Sequence, residues 1–193
     1  MILTKKNRIQ TFTEKGWWGK DTLYSLFQDA LTSCKDQEAL VDPENRKDIT
    51  GDLPTRLSFN DIDKTVERYA SIFFEHGLRK DDIVIIQLPN IVELPMIYLA
   101  LSKLGIICSP IPMQYGVYEI TSIIAETQPR GFISIQSFNG NAHAEQFSSA
   151  FTNNELKFAL GAINNFVNLH EYNPADESYE SQQSYVQDNA VTA

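Results

Sequence analysis

The run from Asp81 to Pro112, DDIVIIQLPNIVELPMIYLALSKLGIICSPIP, constrains the fold of this chain more than any other stretch. Ile83 to Leu88 is a β-branched apolar run, as a strand buried on both faces requires. Pro89-Asn90 breaks it. Asn90 is placed to cap a helix, and Glu93 three residues on completes a capping-box pattern. The helix is apolar nearly all round (Leu94, Ile97, Tyr98, Leu101, Leu104) and stops at Gly105. Ile106 to Cys108 starts a second strand, which Pro110 and Pro112 end. Strand, helix and strand in this order form a parallel βαβ crossover, right-handed by default, and such a unit needs a larger sheet around it.

Elements on either side extend the pattern. Asp21 or Thr22 can cap a helix from Leu23 to about Ser33, with Leu23, Leu26, Phe27, Ala30 and Leu31 forming an amphipathic stripe. Ala39–Asp42 and Arg56–Phe59 read as short strands around an exposed loop, 43–55. Asn60 is expected to cap a helix whose buried face is Ile62, Val66, Tyr69, Ala70 and Phe73, ending at Glu75-His76-Gly77. Beyond the central unit come a helix over Gly116–Thr127, a strand at Phe132–Ile135, a helix over Gly140–Phe151 and a last strand at Leu156–Leu160. This alternation predicts an α/β fold, layered, with a mostly parallel sheet flanked by helices. We divide the chain into an α/β unit, 1–163, and an acidic, loosely ordered segment, 164–193, rich in Asn, Ser, Gln and Glu.

At 193 residues the chain can bury a real core. Its net charge of −9 argues against nucleic acid or an anionic membrane as the main partner. No Lys or Arg follows Lys157, so five of those charges lie in the remainder. Cys108 reads as a small buried hydrophobe, Cys34 as a residue near a helix end, and no disulfide is expected between them. No apolar run reaches the roughly 18 residues of a membrane span, and MILTKKNRIQ lacks an apolar leader, so the expected location is cytoplasmic. Trp17-Trp18 is expected to pack one ring under the domain and one over its edge.

Chemistry-bearing motifs are missing. There is no phosphate loop, no dinucleotide fingerprint, no C-x-x-C, no H-E-x-x-H and no G-x-S-x-G. His76, His143 and His170 have no ligand-like spacing; His143 is expected on the solvent side of its helix. Asp81-Asp82 reads as a solvated turn. Gln87-Leu88-Pro89-Asn90 follows the carboxyl end of a parallel strand, where α/β proteins bind ligands, yet helix capping already explains Asn90. No catalytic, cofactor-binding or metal-binding residue is assigned.

The pieces from Trp17 to Ile135 do resemble a family in order. GWWGKDTLYSLFQDAL looks like the entry helix of acyl-CoA synthetases acting on medium-chain, alicyclic or aryl acids, within the adenylate-forming AMP-dependent synthetase and ligase family. EALVD, the run RLSFNDIDKTVERYASIFFEHGLRKDDIVIIQLPNIVELPMIYLALSKLGIICSPIP and YGVYEITSIIAETQPRGFIS are similar to its opening hairpin, first βαβ and next helix and strand. The resemblance implies ATP, Mg²⁺ and coenzyme A as cofactors of the full-length enzyme, and a carboxylic acid as its substrate. It also implies that the chain stops short of the phosphate loop, since "SYVQDNAVTA" stands where an acidic linker would lead into it. The partner expected is therefore the remainder of a ligase chain or a homodimer mate. The other reading is a free-standing, non-catalytic module that binds a partner through an exposed sheet face.

Overall fold

The structure, a computed structural model, describes residues 4–19, 21–151 and 155–188. Helix α1 (Lys6–Glu14) leads into α2 (Leu23–Cys34). Strands β1 (Glu38–Val41) and β2 (Arg56–Ser58) pair antiparallel around a short helix, α3 (Arg46–Thr50). Then follow α4 (Phe59–Glu75), β3 (Ile83–Ile86), α5 (Glu93–Lys103), β4 (Ile107–Pro110), α6 (Val117–Thr127) and β5 (Gly131–Ile135). A small hairpin, β6 (Ser137–Phe138) with β7 (Asn141–Ala142), precedes a 3-10 turn at Ala144–Phe147. Strands β8 (Leu156–Leu160) and β9 (Val167–Asn168) and helix α7 (Asp176–Asp188) complete the described chain.

The main sheet is parallel throughout, in the order β4-β3-β5-β8-β9. Residue alternation assigns its two faces. Val84, Ile86, Ile133, Ile135, Phe158 and Leu160 join α4 and α5 in the larger core, whereas Ile85 and Phe132 meet Ile120 of α6 with Phe147 and Phe151. The α5 and α6 crossovers run to opposite sides of β3 on opposite faces, as right-handed connections demand. The predicted layered α/β architecture is thus the one observed.

Local chemistry explains where elements start. Thr22 caps α2 in a reciprocal box with Ser25. For α4 the cap is Ser58, not Asn60: β2 turns directly into the helix, and Ser58 and Asp61 satisfy each other's backbone N–H groups. Helix α5 begins at Glu93 behind Val92 with no side-chain cap, so Asn90 does not cap it; Glu93 turns elsewhere, as described below. The helix expected over 140–151 is reduced to the 3-10 turn. Asn139 and Gly140 both have positive φ (49° and 75°), the signature of a two-residue hairpin turn, and that turn takes the chain that the helix would have used. In 164–193, read as loosely ordered, β9 extends the sheet and α7 packs on α4.

The apolar stripe of α2 is only partly covered: Phe27 packs against the larger core. No residue of α2 is buried, with Leu23 53% and Leu26 55% exposed. Trp17 and Trp18 are 64% and 40% exposed, rather than packed under the domain. No described helix is long and apolar enough to cross a membrane.

Candidate functional site

The strand order reverses at β3, so the crevice between the carboxyl ends of β3 and β5 is where an open parallel sheet offers a ligand site. Gln87 follows β3 and Gln136 follows β5. Gln87 is fully buried. Its Nε2 donates to the carbonyls of Pro112 and Tyr115, both at 3.0 Å. Its Oε1 is therefore left to accept from His143 Nε2–H at 3.2 Å, and Gln146 Nε2, 3.4 Å from His143 Nδ1, leaves that second nitrogen as an acceptor, the pattern of the neutral Nε2–H tautomer. His143 also donates its backbone N–H to the Gln136 carbonyl at 2.9 Å. The ring is packed edge-on by Phe138 and Phe147. His143 is thus 6% exposed, not solvent-facing, and burial lowers its pKa. The hairpin that replaced the expected helix carries it there, and it fills the crevice with the protein's own side chain.

The second polar group at this end is Arg46, in the segment read as an exposed loop. Arg46 is 2% exposed. Its Nη1 donates to Asp42 Oδ1 and Glu93 Oε2, both at 2.8 Å, and its Nη2 to Glu93 Oε1 at 2.9 Å and Asp52 Oδ2 at 3.2 Å. Nε donates to Thr50 Oγ1 at 2.8 Å. These contacts use all the donor hydrogens of a guanidinium. Asp42 accepts in addition from the backbone N–H groups of Val92 and Thr55, each at 3.0 Å. One cluster therefore joins β1, α3 and the start of α5. His170 Nε2 lies 3.6 Å from Glu93 Oε1 at its margin. Burial alone would raise the Glu93 pKa, but the contacts with His170 and Arg46 outweigh it and hold the carboxyl down at about 2.

A recess of about 60 Å³ beside this cluster is lined by Asp52, Gln136, Gly161 and His170, among others. It is far smaller than small-molecule sites of about 300–1,000 Å³. Gly161 closes it with φ +102°, and a Cβ there would lie 2.5 Å from Gln136 Oε1. Gly161→Ala is accordingly expected to cost about 1–3 kcal/mol, read as a lower urea midpoint at unchanged slope.

The remaining candidates sit apart from the crevice. His76 closes α4, with Nδ1 at 2.9 Å from the Ile72 carbonyl, between Phe158 and Tyr172. Asp82 accepts from the Arg79 N–H at 2.7 Å in the turn before β3. Cys34 and Cys108 are both free, and burial raises the Cys108 thiol to about 11. A groove of about 500 Å³ runs along the outer edge of β4, lined by Leu23, Tyr98, Ile106 and Cys108 among others. Among the described residues no cluster of His, Cys, Asp or Glu could hold a metal ion.

The carboxyl edge therefore presents neutral amides, a neutral imidazole and a fully paired arginine. Among the described residues it has no nucleophile with an adjacent base and no cradle of free donors. Comparison with known proteins supplies what the edge does not: a profile described as AMP-binding enzyme matches residues 27–189. The chain belongs to the AMP-binding enzyme family. Among curated proteins, it is 23% identical over 159 residues to pseudomonine synthase PmsE of Pseudomonas entomophila, covering 81% of this chain and 24% of PmsE. Among solved structures, apo MbtA of Mycobacterium smegmatis superposes with a TM-score of 0.70 at 19% identity, over 90% of this chain and 31% of MbtA. The long-chain-fatty-acid-CoA ligase FadD1 of Archaeoglobus fulgidus gives 0.68 at 21% identity, over 85% and 30%. The fold is thus that of one part of an AMP-binding enzyme, and the chain spans only about a quarter to a third of these proteins.

Proposed function

We propose that this chain is the N-terminal portion of an adenylate-forming ligase of the acyl-CoA synthetase type, and that it serves as scaffold rather than as the reacting centre. The family match across 27–189 carries the first part. The reaction would join a carboxylate to the α-phosphate of ATP with release of pyrophosphate, after which coenzyme A would displace AMP. Dense negative charge of that kind needs free cations and N–H donors. The residues at this carboxyl edge do not fit it: Arg46 is saturated, Asp42, Asp52 and Glu93 would repel a triphosphate, and His143 plugs the crevice. No step of the reaction is therefore assigned to these residues. Their work is to lock the loops after β1 and β3 to the sheet.

An aryl, alicyclic or medium-chain acid as substrate rests on the likeness of the Trp17–Leu31 run alone. The division at residue 163 and a cytoplasmic location are part of the same proposal. An immunoblot of source cells with an antibody against this domain tests it. A band several times larger than the chain is expected; a band at 21.9 kDa would favour the non-catalytic module instead. That module could not use a bare sheet face, because both faces of the central strands are covered. Its docking surface would be the exposed Leu23 and Leu26 with the groove beside β4.

A further inference from the structure

The net charge of −9 conceals a segregation. The first twenty residues hold five of the sixteen Lys and Arg and one of the twenty-five acidic residues, a net +4 that leaves −13 on the rest. Helix α1 and the residues after it carry this cationic end, and none of the α1 residues is buried. Among the described residues, the hydrogen bonds and ring contacts of residues 5–18 are all internal to that segment.

Helical spacing orders the side chains. Ile9 and Phe12 stand three residues apart on one line with Lys5, flanked by Arg8 and Lys15 on one side and Lys6 on the other. Asn7, Gln10 and Glu14 take the opposite side, where Gln10 donates to Glu14 at 2.8 Å. The apolar line continues past the helix: Trp17 and Trp18 fold back on Phe12 with ring centroids 5.4 and 5.2 Å away. Arg8 lies 5.1 Å from the centre of Phe12 and Lys15 lies 4.6 Å from that of Trp17.

We propose that residues 5–18 form an interfacial anchor that docks on an anionic lipid surface, with Ile9, Phe12, Trp17 and Trp18 entering the headgroup boundary and Lys5, Lys6, Arg8 and Lys15 meeting lipid phosphates. An apolar line rimmed by cations, ending in tryptophans, is the arrangement such surfaces select. Nucleic acid fits less well. Base stacking needs open ring faces, and cations already lie over Phe12 and Trp17. The acidic body does not cancel the attraction, since charges more than about 8–10 Å away are screened at physiological salt. The proposal is independent of the ligase reading.

The test is co-sedimentation of the 193-residue chain with vesicles of phosphatidylcholine alone or mixed equally with phosphatidylglycerol. Binding is expected to the mixed vesicles only, and to be released by high salt. Replacing Lys5, Lys6 and Arg8 together by Gln should weaken it about 100-fold. Trp17→Ala with Trp18→Ala should weaken it at least about tenfold. Since these side chains are not buried, the variants should keep the parent's urea midpoint. Three results would each overturn the proposal: equal partition to both vesicle types, binding unchanged in both variants, or tighter retention on single-stranded RNA that the same variants abolish. A dimer in the absence of lipid that these variants dissociate would also overturn it, by assigning the segment to the acidic surface of a second copy.

Discussion

Arg46→Met is expected to lower the unfolding free energy by about 3–5 kcal/mol in urea titration at neutral pH. Arg46 is the counter-charge for Asp42 and Glu93, both of which are buried. Removing it leaves two carboxylates in a poorly solvated site with only backbone donors at Asp42. Adding Asp42→Asn and Glu93→Gln to the same variant removes the uncompensated charge and should recover at least half of the loss. Additive losses in the triple variant would mean that the three side chains do not act as one cluster.

The same cluster sets a pH response. Glu93 titrates near 4.5 when unfolded and near 2 when folded. A carboxyl whose folded pKa is depressed stabilises fully above its unfolded pKa and loses that contribution as pH falls through the folded one. About 3 kcal/mol should therefore disappear between about pH 5 and pH 2. The acid limb should be shallower in Arg46→Met, where the His170 contact remains but the Arg46 contribution to the depression is gone.

The second large effect is expected at Phe132→Ala, about 3–5 kcal/mol. Phe132 is fully buried at the centre of the smaller core. It stacks on Phe151 at 4.4 Å between centroids and meets Phe147 edge-on at 6.0 Å. Few residues close this face of the sheet, so a cavity there cannot be refilled by neighbours. Leu26→Ala, at a position 55% exposed, should stay within about 0.5 kcal/mol. A Phe132→Ala variant as mild as Leu26→Ala would contradict the assignment of a second core beneath α6.

These contrasts show how much the chain discloses before its structure is seen. The βαβ unit was legible because Ile83–Ile86, the α5 run and Gly105 speak with one voice: β-branched residues, apolar helix formers and a left-handed stop. The covered face of α4 was legible for the same reason, since Ile62, Val66, Tyr69, Ala70 and Phe73 repeat at helical spacing and all are buried. Failures came where a second-order signal outweighed the first. Asn139-Gly140 is a hairpin signal, but Ala144, Phe147 and Phe151 also fit a helical stripe, and the turn prevails. Polarity marked 43–55 as surface, yet Arg46 is buried by partners that lie as far along the chain as Glu93. His143 was hidden for the same reason: its partner Gln87 is 56 residues away, and no local pattern records such a pairing. The α2 stripe is apolar, but periodicity alone does not say what covers it.

The scaffold role proposed for this carboxyl edge excludes adenylation by the isolated chain. Carboxylate-dependent exchange of labelled pyrophosphate into ATP by the pure 193-residue chain tests it most directly. With Mg²⁺ and a panel of aryl, alicyclic and medium-chain acids, no exchange above the acid-free background is expected. Acid-dependent exchange that co-purifies with the folded chain would contradict the claim and return the crevice around Gln87 and His143 to candidacy as a nucleotide site.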